Sequence, residues 1–310
     1  MTKKILVLLL ASITMFSLTA CGADTSSKEA DSDTVKIAYL PITHALVLFE
    51  EVEELKESTG LNVELVKYGS WPELMDALNT GRVDGASVLI ELAMKAKEQG
   101  IPIKAVALGH KDGNVIVVSN DINSIEDLKG KTFAIPHRQS SHNLLLNDAL
   151  SQAGLTAEEL EVTELAPTEM ASALASGQID GYCVAEPFGA QAVYLGVGKV
   201  LYSSEEIWED SLCCGLVLTD QFIEESPEKA KEFVTDYRTA GKNLTSEKAK
   251  KIAKKYLKQN KNVLDLSLQW ISYDNLDITE ELYDGLVERV KKYGLSDNPP
   301  LYNDFVDNTL

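Results

Sequence analysis

A unit of sixteen residues occurs twice in this chain, and the duplication constrains the fold more than any other feature. Residues 73–88 read ELMDALNTGRVDGASV and residues 169–184 read EMASALASGQIDGYCV. A constant offset of 96 aligns Glu73 with Glu169, Ala77 with Ala173, Leu78 with Leu174, Gly81 with Gly177, Asp84 with Asp180, Gly85 with Gly181 and Val88 with Val184. In each copy an amphipathic stretch ends at a glycine, the residue suited to a left-handed helix cap, and an Asp-Gly turn then feeds a short apolar run. Each copy therefore predicts a helix followed by a buried strand.

The similarity extends upstream in looser form. A strand at Val35–Leu40 and a helix over 44–58 parallel a strand at Thr132–Ile135 and a helix over 141–153, with second strands at Asn62–Tyr68 and Leu160–Leu165. Strand, helix, strand, helix, strand is the pattern of a parallel sheet flanked by helices, so the chain predicts two α/β lobes. The apolar runs Ile103–Leu108 and Val115–Ser119 flank Gly109-His110-Lys111-Asp112-Gly113, where the chain is expected to leave the first lobe. It is expected to return near Cys213, ahead of a strand at Gly215–Thr219. Ser226-Pro227 then opens a helical tail, with further helices at 245–259, 263–272 and 279–292. The expected domains are 35–116 with 213–310 as lobe 1 and 117–212 as lobe 2.

The start of the chain carries Lys3 and Lys4, an apolar run from Ile5 to Phe16, and Leu18-Thr19-Ala20 directly before Cys21. That order is a secretory signal over 1–20. A cysteine at the cut resembles the lipobox of bacterial lipoproteins, which implies a lipid on Cys21 and an extracytoplasmic, membrane-anchored protein. Residues 21–34 hold no apolar side chain larger than alanine after the cysteine and read as a flexible tether. The formal charge of −19 argues against nucleic acid and anionic lipid as partners. The lysines between Lys229 and Lys261 read as a solvated helix face rather than a docking surface.

In doubly wound lobes a ligand sits beyond the carboxyl ends of the strands. Those positions hold Pro41-Ile42-Thr43-His44, Gly69-Ser70-Trp71 and Ala86-Ser87 in one half, and Pro136 through His142 and Ala185-Glu186-Pro187 in the other. All four histidines, at 44, 110, 137 and 142, fall in these loops or in the crossover. The loop from His137 to His142 brings Arg138, two imidazoles and two hydroxyls to a helix start, a combination fit for an anionic group, although Ser140 or Ser141 also serves as a helix cap. Ser70-x-x-Glu73 forms a capping box that sets Trp71 on the first helical turn, where it either stacks on a ligand or packs between lobes. Glu186 is placed at the same mouth. Cys213-Cys214 reads as packing, as a strained vicinal disulfide or as a grip for a soft metal, and Cys183 as core.

Together, Ala38-Tyr39-Leu40-Pro41, Gly69-Ser70-Trp71, the two Gly-x-x-Asp-Gly turns, Ser140-Ser141-His142 and Cys183-Val184-Ala185-Glu186-Pro187 resemble the solute-binding proteins of ABC importers for nitrate, bicarbonate, sulfonates and taurine, a group that also holds thiamine-pyrimidine precursor binders. The resemblance implies a type II periplasmic-binding-protein fold, two α/β lobes with a ligand cleft between them and a helical C-terminal tail. It implies a monomer that captures a small anionic or polar solute, nitrate-, sulfonate- or taurine-like, between its lobes and delivers it to a permease and ATPase, with no catalytic residue, resident metal or cofactor. His44, Trp71, Ser87, His137, Ser141, His142, Glu186 and Cys214 are the expected ligand-binding residues. In nitrate and bicarbonate binders a charged residue precedes the return strand. Here Ser211-Leu212-Cys213-Cys214 stands in its place, which directs attention to an organic solute, a thiamine-pyrimidine precursor, or a soft metal or organometal. Readings of another class are a hydrolase using Cys213 or Cys214 with His142 or His137, and an extracytoplasmic sensor subunit.

Overall fold

The computed structural model describes residues 34–58 and 61–310. The signal over 1–20, the lipidation at Cys21 and all but the last residue of the tether lie outside the described residues; that last residue, Thr34, already pairs in the first strand.

The chain begins with β1 (Thr34–Tyr39), α1 (Leu46–Ser58), β2 (Asn62–Lys67), α2 (Trp71–Asn79), β3 (Gly85–Leu89), α3 (Ile90–Glu98), β4 (Ile103–Leu108), a short β5 (Lys111–Asp112) and β6 (Asn114–Val118). It continues through β7 (Thr132–Ile135), α4 (Ser141–Gln152), β8 (Glu161–Glu164), α5 (Pro167–Ala175), β9 (Gly181–Ala185), α6 (Phe188–Tyr194) and β10 (Lys199–Ser203). After α7 (Ser204–Ile207) come β11 (Cys214–Thr219), α8 (Asp220–Glu225), α9 (Pro227–Asn243), α10 (Ser246–Leu257), α11 (Lys261–Ser267), β12 (Ile271–Ser272), α12 (Glu280–Lys292) and α13 (Tyr302–Phe305).

Two five-stranded sheets result, with orders β2-β1-β3-β11-β4 and β10-β6-β9-β7-β8. In the first, β1 runs parallel to β2 and β3, while β11 runs antiparallel between β3 and β4. In the second, β7 runs parallel to β8 and β9, and β6 enters antiparallel beside β9. The chain thus passes between sheets after β4 and again after β10.

Three of the repeat's identities have a direct cause in the fold. Helices α2 and α5, and strands β3 and β9, are offset by the same 96 positions as the sequence. Gly81 and Gly177 end their helices at φ +66° and +70°, a conformation that costs a side-chain-bearing residue about 1 kcal/mol or more. Asp84 accepts the Lys36 N–H at 2.7 Å, and Asp180 accepts the Thr132 N–H at 2.9 Å, so each carboxylate ties the neighbouring parallel strand, β1 or β7, near its start. Gly85 pairs with Ile37, and Gly181 with Phe133. A Cβ on Gly85 would stand 2.6 Å from the Val217 carbonyl oxygen and from Leu218 Cδ2. At Gly85 packing across the sheet therefore dictates glycine, while a Cβ on Gly181 would stand 3.0 Å from the Phe133 ring and the Val117 carbonyl oxygen, a milder crowding.

Helices α9 and α10 pack on α1, α9 and α13 also reach β4, and α11 lies against α6. The lysines of α10 owe their place to this docking. Lys248 bridges Glu50 at 2.8 Å and Glu54 at 3.0 Å on α1, Lys255 pairs with Glu53, and Lys250 meets Asp265 at 3.2 Å. A second link joins α12 to α4, where Asp148 accepts from Arg289 Nε at 2.7 Å and from the Tyr293 hydroxyl. Among the described residues no helix is long and apolar enough to cross a membrane.

Candidate functional site

The carboxyl ends of β1, β3 and β4 share one edge of the first sheet with the amino end of antiparallel β11, because Cys214 pairs with Leu89 and Gly215 with Leu108. That topology delivers His44 after β1, His110 after β4 and Cys213-Cys214 at the head of β11 to one place. All four side chains are fully buried, and one ligand-type atom from each lies within 4.8 Å of the others. The Cys213 sulfur stands 3.6 Å from His44 Nδ1 and 3.8 Å from the Cys214 sulfur. Both cysteines are free thiols, so the vicinal disulfide is absent here.

His44 has a defined tautomer. Its Nε2 lies 3.0 Å from the Gly113 carbonyl oxygen, which only accepts, so Nε2 carries the proton and the Nδ1 lone pair faces Cys213. The His110 ring lies over it with centroids 3.6 Å apart, and His110 Nε2 accepts the Cys214 N–H at 3.3 Å. From the second half, the Ser141 hydroxyl donates to the Cys213 sulfur at 3.1 Å, and Asn114 Oδ1 lies 3.7 Å from the same sulfur. Thr43 spans the sheets as well, its N–H and its hydroxyl both donating to the Glu186 carbonyl at 2.9 Å.

Burial dominates the electrostatics. It holds His110 and His142 down to about 4, leaving both imidazoles neutral at neutral pH. Burial raises both thiols, but for Cys213 the Cys214 thiol and the adjacent imidazoles outweigh it. The pair therefore divides, with Cys213 drawn below and Cys214 pushed above the ordinary thiol range. Glu91, fully buried and electrostatically coupled to Cys213, is raised well above the ordinary carboxylate range by desolvation. Several polar atoms here have no partner: both His142 ring nitrogens, His110 Nδ1, Asn114 Nδ2 and both Glu91 oxygens. Buried polar groups are normally satisfied, so these atoms are candidate contacts for a bound solute.

The expected residues divide. His44, Ser141 and Cys214 belong to the cluster, and His142 lies beside it within electrostatic reach of Cys213, His44 and His110. Trp71 is buried with its indole N–H unpartnered, but Ser70 caps nothing with its side chain, so the expected capping box does not form. Ser140 is the helix cap, accepting the Asn143 N–H at 3.3 Å, which leaves Ser141 for the cluster. His137 instead accepts the Gln139 N–H at 2.9 Å within its own loop, and Arg138 donates to the Val162 carbonyl at 3.0 Å. The Glu186 carboxylate faces the start of α6, taking the Ala190 N–H at 3.0 and 3.2 Å, and burial pushes it up to about 8. Ser87 is buried on β3 opposite Leu216, and Cys183 is core. His110, Cys213 and Asn114 are the cluster members that sequence reasoning left off its site. The signal for His110 was its position at a strand's carboxyl end. Beyond the Thr43–Glu186 link, a pocket of about 170 Å³ opens between Pro41 and Tyr68 on one side and Pro167 and Phe188 on the other.

Residues 28–258 match the NMT1-like family. The putative aliphatic sulfonates-binding protein of Escherichia coli is 29% identical over 66% of this chain and 64% of its own length. A nitrate import ATP-binding protein, NrtC, of Synechocystis is 28% identical over 56% of this chain, which spans only 29% of that protein. A Staphylococcus aureus structure described as the ligand binding component of an ABC-type import system with zinc bound is 41% identical, with a TM-score of 0.85, over 89% of this chain and 96% of the other. The architecture is that of the periplasmic-binding-protein fold, as the sequence resemblance implied.

Proposed function

The chain belongs to the NMT1-like family, and on that premise we propose that it is the solute-binding component of an ABC import system whose solute is thiophilic. The observation that carries this reading is the buried cluster of His44, His110, Cys213 and Cys214, set where the two sheets meet and ringed by unpartnered polar atoms. The zinc-containing S. aureus relative supports it. In this reading lobe 1 comprises 35–116 with 213–310 and lobe 2 comprises 117–212. The lobes hinge on the segments around His110 and Cys213, close over the solute without making or breaking a bond, and present the closed monomer to a permease. A lipid on Cys21 would hold that trap outside the cytoplasm beside its importer.

A second reading, a sulfonate- or nitrate-like anion, is favoured by the named relatives and by His142 and Trp71, whose ring N–H groups lack acceptors. Melting temperature and radius of gyration of the mature chain, measured with zinc, taurine and nitrate in turn, test both. A solute at about 100 times its Kd adds about 2.7 kcal/mol to the folded state and contracts a closing protein. A zinc response supports the thiophilic reading, a taurine or nitrate response lost in His142→Ala supports the anion, and indifference to all three overturns solute capture of either kind.

A further inference from the structure

We infer that the solute is a single metal ion held in a closed four-coordinate shell by one nitrogen each of His44 and His110 and the sulfurs of Cys213 and Cys214. This rests on the solute-binding reading above and names its substrate class.

Geometry comes first. Bonds of about 2.3 Å to sulfur and 2.0–2.1 Å to nitrogen around a tetrahedral zinc-like centre require edges of about 3.8 Å between sulfurs and about 3.6 Å between sulfur and nitrogen. The Cys213–Cys214 and Cys213–His44 separations are 3.8 and 3.6 Å. Neighbouring side chains on a regular strand point to opposite faces, which would forbid chelation by adjacent cysteines. Cys213 escapes that rule because it precedes β11, whose first residue is Cys214.

The surroundings fit an ion as well as the distances do. His44 donates its non-ligating N–H to a backbone carbonyl, the arrangement that fixes a metal-binding imidazole in its tautomer. Ser141 donates to the Cys213 sulfur from outside the shell. Two thiolates cancel the charge of a divalent ion, so the occupied site carries no net charge into a fully buried place. A sulfur and imidazole set selects zinc-class or softer ions over magnesium and calcium. With four protein donors the shell has no open position, which disfavours an organometal carrying a bulky substituent and disfavours an oxyanion, for which two sulfurs offer no hydrogen-bond donor of strength.

The test is a cobalt(II) titration of the mature chain, reduced and freed of metal by a chelator. One equivalent is expected to produce a thiolate-to-cobalt charge-transfer band and the intense visible bands of a tetrahedral centre, both abolished by zinc. Cys213→Ser and Cys214→Ser are each expected to weaken binding more than about 100-fold, since loss of even an outer partner costs about 10–100-fold. His137→Ala, whose ring bonds within its own loop, is expected to keep the spectrum. If a cysteine variant fails to fold by circular dichroism, His44→Ala supplies the same comparison, and the wild-type spectrum stands alone. Absence of the charge-transfer band, or a band unchanged in both cysteine variants, overturns the metal assignment. Taurine and nitrate melts on the same preparation separate the failures: an anion response without the band leaves solute binding intact, and no response to metal or anion from a folded protein removes both.

Discussion

Replacing Glu186 by glutamine is expected to stabilise this protein at alkaline pH while changing little at acidic pH. Burial pushes the Glu186 carboxyl up to about 8 from an ordinary value of 4.5. The folded chain therefore retains a proton that the unfolded chain releases. The sign follows from linkage: this group's contribution is fully present below about pH 4.5, is lost as pH rises through the interval to about 8, and changes no further above it. At 1.36 kcal/mol for each unit, the loss across the interval approaches about 5 kcal/mol as an upper bound. Glutamine has no proton to lose, and its carbonyl oxygen can still accept from Ala190, which Glu186 meets at 3.0 and 3.2 Å. Urea unfolding of wild type and Glu186→Gln at pH 5 and pH 8 provides the assay. The variant's advantage is expected to grow by several kcal/mol between the two. An advantage that stays constant, or a variant that weakens at pH 8, refutes the reasoning.

Thr43→Val deletes one of the two hydrogen bonds that cross to the Glu186 carbonyl. A loss of about 1 kcal/mol from the closed form predicts about fivefold weaker zinc binding by chelator competition, and unchanged affinity would show that the link does not serve closure. Asp148→Ala strands Arg289 and Tyr293 between α4 and α12. It should cost about 2 kcal/mol, or about 4 °C in Tm for a chain of this size, and a smaller effect than 1 °C would mean that water replaces the carboxylate at no cost. Gly85→Ala should destabilise by about 3 kcal/mol through overpacking against Val217 and Leu218, whereas Gly81→Ala, open to space but at φ +66°, should cost about 1 kcal/mol. Equal costs in denaturant would contradict that division.

The duplicated unit made the two sheets legible because three of its identities have a local cause: a helix cap, an aspartate tied to a strand's amide, a glycine beneath a neighbouring strand. Most boundaries moved by a residue or two, as at α1, which follows a single tight turn over Thr43–Ala45, but the helix expected over 263–272 ends at Ser267, and Ile271 and Ser272 pair with β5 as a strand instead. The site was legible only by loop. His44, Ser141 and His142 could be placed at strand ends, but the neighbours of Cys213 arrive from 169, 99 and 72 positions away. That convergence depends on β11 returning between β3 and β4, and no local periodicity encodes it. His137 and Arg138 were misleading for the opposite reason. Their loop offers the side chains nearby backbone partners, and those local bonds are the ones formed.

The solute is proposed to sit on the His44, His110, Cys213 and Cys214 cluster between the two sheets. Crystals of the zinc-loaded protein, measured on either side of the zinc absorption edge, test it most directly. One anomalous peak is expected about 2.3 Å from both cysteine sulfurs and about 2.0–2.1 Å from a nitrogen of each histidine. A peak elsewhere on the molecule, or full zinc loading with no peak between the sheets, would contradict it.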